Sequence, residues 1–318
     1  MFQAELKKLI KKEFPDEILE KLSVFPLALT TVAYKINFKS GRKLVAKIGF
    51  DEWDLKRGKG LKEKTAIRTA NDILGPDKSP KLVKCLNSCP GFPGYVTFLE
   101  FIEGEILEPE EFNAVAGSEF NLNELSGFLI NLHSLKQKNF SDMFPNGKRD
   151  LYEYFSAYHK RIKSTLESDN IFEKLEERFN DLPEIYEYFK NYSPHCFLHG
   201  DVNFKNVLVS ENKIKALIDW DRSLIAPIAF EFAHVSTLTD QYGVTEWHNN
   251  LIKSYLEKYS GDSEKLHREF KMIELFIYFK MLTRKLTHKL QKGTIQLCAG
   301  TGEELKDHFI RKILEHRI

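Results

Sequence analysis

Apolar and polar residues alternate with a period of two over much of the first hundred positions, and beyond them the apolar spacing lengthens to three and four. The chain opens differently, with MFQAELKKLIKKEF setting Leu, Ile and Phe against lysines at helical spacing. This predicts a basic amphipathic surface helix, with contact to an anionic membrane as its other use. Two strands follow, LTTVAYKINF and KLVAKIGF, joined at Lys39-Ser40-Gly41-Arg42, where glycine supplies a positive φ. That turn places Lys47 opposite Tyr34, between Ala46 and Ile48 on an otherwise apolar strand. A lysine there either has a partner or snorkels from an edge to water. A helix over 61–74 comes next, ended by Gly75-Pro76, and its stripe of Leu74, Ala70 and Ile67 runs back to Glu63. Glu63 is then either the counter-ion of Lys47 or a carboxylate complementing the helix N-terminus.

KLVKCLNS and GYVTFLEFI, within 81–102, read as two further strands around Pro90-Gly91-Phe92-Pro93-Gly94, and Glu103-Gly104 forms a natural hinge. After Gly104 the stripes are helical: Leu122, Leu125, Leu129 and Leu132 ending at His133; Leu151, Phe155, Tyr158 and Ile162; Ile185, Tyr188, Phe189 and Tyr192. Three more helices are expected near 245–259, 262–290 and 303–318. His133 reads as a core histidine rather than a catalytic one.

One stretch interrupts the helices, HGDVNFKNVLVSENKIKALIDWD over 199–221. VLVS and IKALID predict an antiparallel hairpin whose turn, Glu211-Asn212-Lys213, centres on Asn212. This register sets Asn206 opposite Ile218 and beside Asp219 at the open end, and Asp201, in a loop entered through Gly200, reaches the same place. A few oxygen ligands of this kind suit Mg²⁺, which keeps waters and fills its shell with phosphate oxygens. Downstream, Glu231 lies among Phe230, Phe232 and Ala233, where a carboxylate must accept hydrogen bonds from backbone or from His199.

Composition narrows the classes. With 318 residues the chain has room for two lobes, and 47 basic against 46 acidic residues give a net charge of +1, which advertises neither nucleic acid nor anionic membrane as a partner. Four scattered cysteines fit the reducing cytoplasm, and Cys85 and Cys89 lack the further ligands of a zinc site. No apolar run reaches the roughly 18 residues of a membrane span.

The spacing H-x-D-x-x-x-x-N, followed by a carboxylate after the next strands, resembles the catalytic-loop signature of kinases. At roughly one in twenty per residue type, its three fixed positions recur by chance about once in 8,000 windows. Together with Lys47, Glu63, the Gly104 hinge, LHSL at 132–135 and IDWD at 218–221, it resembles the aminoglycoside phosphotransferase and choline kinase family of small-molecule kinases. The resemblance implies an α+β, two-lobed, protein-kinase-like fold: a β-rich nucleotide-binding lobe over 1–103, and a larger helical lobe over 104–318 carrying the catalytic loop and acceptor site. It implies transfer of the γ-phosphate of ATP, with Mg²⁺, to a hydroxyl of an aminoglycoside-, choline- or thiamine-like acceptor. Lys47 would hold the α- and β-phosphates, oriented by Glu63, while Glu100, Phe101 and Ile102 receive adenine. Asp201 would be the base or orienter of the acceptor hydroxyl, with His199 beside it in the catalytic loop, and Asn206 and Asp219 would hold Mg²⁺. Two departures stand out. Positions 26–31, PLALTT, lack the family's glycines and leave Thr30 and Thr31 as phosphate donors; and Glu231 stands where the family commonly has Asp. A nucleotide-binding pseudokinase with a sensing or scaffolding role is the alternative. A cationic acceptor would be met by acids or aromatic faces such as Asp240, Tyr242, Glu246, Trp247, Glu274 and Tyr278, residues that equally suit helix packing.

Overall fold

The computed structural model describes residues 2–25, 31–49, 59–75, 77–87, 89–135, 151–192, 195–242, 245–288 and 302–318. The chain divides into two compact units, one of Met1–Glu105, Val207–Glu211 and Lys215–Ser223, the other of Ile106–Asn206, Asn212–Ile214 and Leu224–Ile318.

The first unit is built on strands β1 (Leu19–Val24), β2 (Thr31–Phe38), β3 (Lys43–Gly49), β4 (Leu82–Leu86) and β5 (Val96–Glu100), in the order β1-β2-β3-β5-β4. Every neighbouring pair is antiparallel. Helix α1 (Gln3–Glu13) lays Leu6, Leu9 and Ile10 on one face of the sheet, against Val32, Tyr34, Ile36, Leu44, Ala46, Ile48 and Phe98. The leucine, isoleucine and valine side chains among these each contribute about 1.5–3 kcal/mol by leaving water. The apolar side of the basic first helix is therefore spent on the sheet, as a surface helix requires.

The β2–β3 hairpin differs by one residue from the sequence reading. Gly41, at φ 87°, donates its N–H to the Phe38 carbonyl, and Phe38 N–H donates to Arg42. A three-residue loop with its last member left-handed results, a favoured hairpin closure. Lys47 therefore pairs with Ala33, and Tyr34 with Ala46. Across β5 its neighbour is Thr97. Ala33 and Thr97 are both small, which leaves the long lysine side chain room on the sheet face opposite the α1 core.

Helix α2 (Lys59–Leu74) begins two residues before its expected start and ends at Gly75, φ 86°. In the second unit α3 (Pro109–Ala116) and α4 (Glu119–His133) are followed by α5 (Leu151–Ser168), α6 (Phe172–Asn180) and α7 (Leu182–Tyr188). The stripes of α4 and α5 are buried as expected, except that Tyr158 is only half-buried. In α7 the buried tyrosine is Tyr186, with Leu182 and Ile185, while Tyr188 sits half-buried and donates to Glu269. The helix ends at Tyr188, so its buried face is set by the 182–186 spacing rather than by Tyr192.

Strand β6 (Cys196–Leu198) pairs antiparallel with β9 (Leu224–Ala226). Between them in sequence, β7 (Val207–Ser210) and β8 (Lys213–Leu217) form the expected hairpin. Helices α8 (Ile228–Tyr242), α9 (Thr245–Lys258), α10 (Ser263–His288) and α11 (Gly302–Glu315) complete the chain.

Candidate active site

In the first unit the Lys47 ammonium is held by two carboxylates at once. It donates to Glu63 Oε1 and, at 2.7 Å, to Asp219 Oδ1. The paired reading of Lys47 and Glu63 is the one the structure contains. Glu63 is wholly buried and its Oε2 has no hydrogen-bond partner, whereas the Asp219 side chain is 37% exposed. Asp221, two residues on in the turn Trp220–Arg222, is also buried. Burial by itself would lower the Lys47 pKa, but Asp219, Glu63 and Asp221 hold it well above the ordinary lysine value. Glu63 is pushed up by its own burial, against the pull of Lys47 and with repulsion from Asp221 and Asp219. Two carboxylates thus hold one ammonium, and Asp221 lies near enough to raise its pKa further. Among the described residues no three His, Cys, Asp or Glu side chains form a metal-holding group; the partly exposed Asp219 carboxylate is a hard oxygen donor of the kind Mg²⁺ takes, with waters and phosphate oxygens completing its shell.

Asp219 has φ 64° and ψ 64°, left-handed for a residue with a Cβ. Such a conformation costs on the order of 1–3 kcal/mol and is retained where the surroundings over-determine it, as the ion pair to Lys47 does here. Asp219 lies outside β8, which ends at Leu217, and Asn206 lies in a 3₁₀ turn, Phe204–Asn206, before β7 begins. Asn206 and Ile218, expected opposite each other, both lie outside the two strands. The hairpin turn has two residues, Glu211 and Asn212, both left-handed at φ 52° and 59°, so Lys213 belongs to the strand. Paired positive φ values match the twist of the flanking strands.

At the end of β5 the expected adenine contacts are already engaged in structure. Glu100 pairs with Arg42 at 2.8 Å, Phe101 N–H donates to the Lys43 carbonyl, and the Lys35 ammonium lies 3.7 Å from the Phe101 ring centroid. Ile102 is half-buried beyond them. Glu105 then makes two 2.9 Å backbone hydrogen bonds with Val209. A Cβ on Gly104 would stand 3.1 Å from the Val209 carbonyl oxygen, which explains glycine at this position. Thr31 is buried at the start of β2, and Thr30 lies outside the described residues.

The second unit contains the 199–206 loop. Gly200, at φ 80°, turns the chain after β6. Glu231 on α8 is wholly buried, and its two oxygens accept the backbone N–H groups of His199 and Gly200 at 2.8 and 2.9 Å. Of the two partners expected for this acid, the structure uses backbone. The His199 ring is wholly buried and its Nδ1 accepts the Asp201 N–H at 3.2 Å, so it shapes the loop from inside. Asn206 Nδ2 donates to the Asp201 carbonyl at 2.8 Å and to Asp201 Oδ2 at 3.1 Å. Because a carbonyl only accepts, the amide nitrogen must point at Asp201, which leaves Oδ1 as the side of Asn206 suited to a cation. Asn203 was not singled out from the sequence. It bridges the loop by donating to the Asp201 carbonyl and accepting from Lys205 N–H. The D-x-N-x-K spacing of a local side-chain turn was the available signal.

Among the other candidates, Trp247 and Tyr278 are buried, with Trp247 edge-on to Phe112 at 4.9 Å. Glu274 is buried beside Ser236 and pairs with Lys271 at 2.9 Å. Glu246 is exposed, and the side chains of Asp240 and Tyr242 lie outside the described residues.

A buried lysine–glutamate pair under a five-stranded antiparallel sheet, and a loop in which Asp201 and Asn206 meet, define a small-molecule kinase with the protein-kinase-like α+β fold. The chain belongs to the APH phosphotransferase enzyme family, which matches residues 66–270, a span that takes in the 199–206 loop and Asp219 but not Lys47 or Glu63. Solved structures agree over nearly the whole length. The GDP complex of aminoglycoside 2'-phosphotransferase-IIIa superposes with a TM-score of 0.70 at 15% identity, covering 98% of this chain and 99% of that one. The streptomycin–ATP–APH(2")-IIa ternary complex gives 0.63 at 14%, covering 98% and 96%. Macrolide 2'-phosphotransferase MphH from Brachybacterium faecium gives 0.61 at 12%, covering 100% and 99%. No curated protein matches the sequence. No described helix is long and apolar enough to cross a membrane.

Proposed function

We propose that this protein transfers the γ-phosphoryl group of ATP to a hydroxyl of a small molecule, with Mg²⁺, in the cytoplasm. The observation that carries the reading is the buried Lys47 ammonium bound simultaneously by Glu63 and Asp219. In this role Lys47 meets the α- and β-phosphates, held in place by Glu63, and Thr31, Glu100, Phe101 and Ile102 belong to the nucleotide side. Asp219 and Asn206 are the metal residues of this reading. When bound, Mg²⁺ neutralises charge on the phosphate oxygens. Asp201 orients the acceptor hydroxyl and takes its proton, with His199 shaping the loop that carries it. An ionised carboxylate suffices, because phosphoryl transfer has a loose transition state and the proton leaves late.

The acceptor class we favour is an aminoglycoside-, choline- or thiamine-like alcohol, in keeping with the streptomycin named for one structural neighbour. Asp201→Asn tests the assignment. It is expected to abolish acceptor-dependent ADP release from ATP while leaving nucleotide affinity within about threefold, and turnover within about tenfold of the wild type would refute the role given to Asp201. Screening hydroxylated metabolites and antibiotics by ADP release identifies the acceptor. The glycine-free segment at 26–31 favours a second reading, a nucleotide-sensing pseudokinase. Calorimetric ATP–Mg²⁺ binding with no transfer to any acceptor in that screen would support it.

A further inference from the structure

Glu231 holds the entry to the catalytic loop, and the loop's stability depends on what in turn holds Glu231. Its Oε2, already accepting the His199 N–H, lies 3.7 Å from Nε2 of His133 at the end of α4. That nitrogen is buried and makes no hydrogen bond. The other ring nitrogen of His133, Nδ1, is 2.8 Å from the hydroxyl of Tyr255 on α9. All three side chains are buried, with Tyr255 1% and Glu231 0% exposed, so water does not arbitrate between them.

A neutral imidazole carries one proton, and the two tautomers have opposite consequences here. If Nδ1 bears it, the hydroxyl accepts and a bare Nε2 lone pair faces the Glu231 carboxylate. If the hydroxyl donates to Nδ1, the proton sits on Nε2 and its N–H dipole points at Oε2. In a low-dielectric interior the second arrangement is attractive and the first repulsive. We propose that Tyr255 is a positioning residue: by donating its hydroxyl proton to His133 Nδ1 it fixes the Nε2-protonated tautomer, which steadies Glu231 and through it the His199 and Gly200 amides that place Asp201. Burial pushes the Tyr255 phenol far up, so it remains a donor throughout the physiological range. Packing keeps the hydroxyl aimed, for the Tyr255 ring lies edge-on to Phe232, the residue after Glu231, at 4.7 Å, and stacks on Tyr259 at 5.7 Å.

The catalytic consequence rests on the phosphotransfer reading above, but the tautomer and the loop ordering do not, so the test separates the two. In ¹⁵N-histidine spectra of the whole chain, with His133 assigned through its contacts to the Phe232 and Tyr255 rings, the expected signature is a protonated Nε2 and a bare Nδ1. Tyr255→Phe, which keeps the ring and removes only the hydroxyl, is expected to mix the two tautomers. It should also speed hydrogen exchange of the His199 and Gly200 amides about tenfold, the loss worth one hydrogen bond. Acceptor-dependent ADP release should fall with nucleotide KM unchanged. A protonated Nδ1 in the wild type overturns the proposal even if the variant does not fold. So does a Tyr255→Phe protein whose His133 tautomer and loop-amide exchange stay within twofold of the wild type.

Discussion

Removing the charge of Lys47 while keeping its bulk, as in Lys47→Met, exposes the electrostatics of the nucleotide side without any ligand. Glu63 is 0% exposed, its Oε1 accepts from Lys47 and its Oε2 has no partner, so the variant leaves a carboxylate buried with no cation and with Asp219 and Asp221 near it. Breaking a buried pair in this way costs about 3–5 kcal/mol. For a unit of this size such a loss lowers Tm by about 12–20 °C. The cost has a ceiling, because Glu63 can take up a proton instead. In the wild type Lys47 is what pulls the Glu63 pKa down; without it burial and the two aspartates remain, and all of them raise it. A group whose folded pKa lies above its unfolded value contributes stability that is complete below the unfolded pKa and is lost as pH rises through the folded one. The variant's deficit against the wild type should therefore grow as pH rises above the wild type's own raised Glu63 pKa, by up to about 1.4 kcal/mol per pH unit, until Glu63 ionises in the folded variant. Thermal unfolding between pH 5.5 and 8, run beside Lys47→Met/Glu63→Gln, checks this. The second substitution should recover most of the loss at high pH and little at low pH. A deficit that does not change with pH, or a double variant no more stable than the single one, would refute the reasoning.

Other consequences are simpler. Glu231→Gln turns an amide NH₂ toward one of the two backbone N–H groups that Glu231 accepts, losing a charge-assisted hydrogen bond; we expect roughly 3 kcal/mol of destabilisation by denaturant unfolding, and a change below about 0.5 kcal/mol would contradict it. Asp219→Asn should raise by tenfold or more the Mg²⁺ concentration at which ATP raises Tm, with ADP release falling in parallel; an unchanged Mg²⁺ midpoint would remove Asp219 from the metal. Together with Asp201→Asn and Tyr255→Phe, these substitutions address both units separately.

Much of this was legible in the chain because it is local. The period-two runs of the first unit, the stripe that turns Glu63 inward and the spacing from His199 to Asn206 are properties of a few consecutive residues, and so were the small-molecule kinase family and the α+β, protein-kinase-like fold they imply. Register was not local in the same sense. Lys47 moved from Tyr34 to Ala33, and the turn at 211–213 shrank to Glu211 and Asn212, because hairpin closure depends on which residues accept a left-handed φ, and non-glycine residues do so only when the strands around them repay the cost. Long-range partners were beyond sequence altogether. That Lys47 shares its ammonium with Asp219, 172 positions away, that Glu231 grips the His199 and Gly200 amides, and that Tyr255 reaches His133 are contacts made by packing. A buried polar atom must find its partner wherever the fold brings one within 3 Å, and no spacing along the chain encodes that distance.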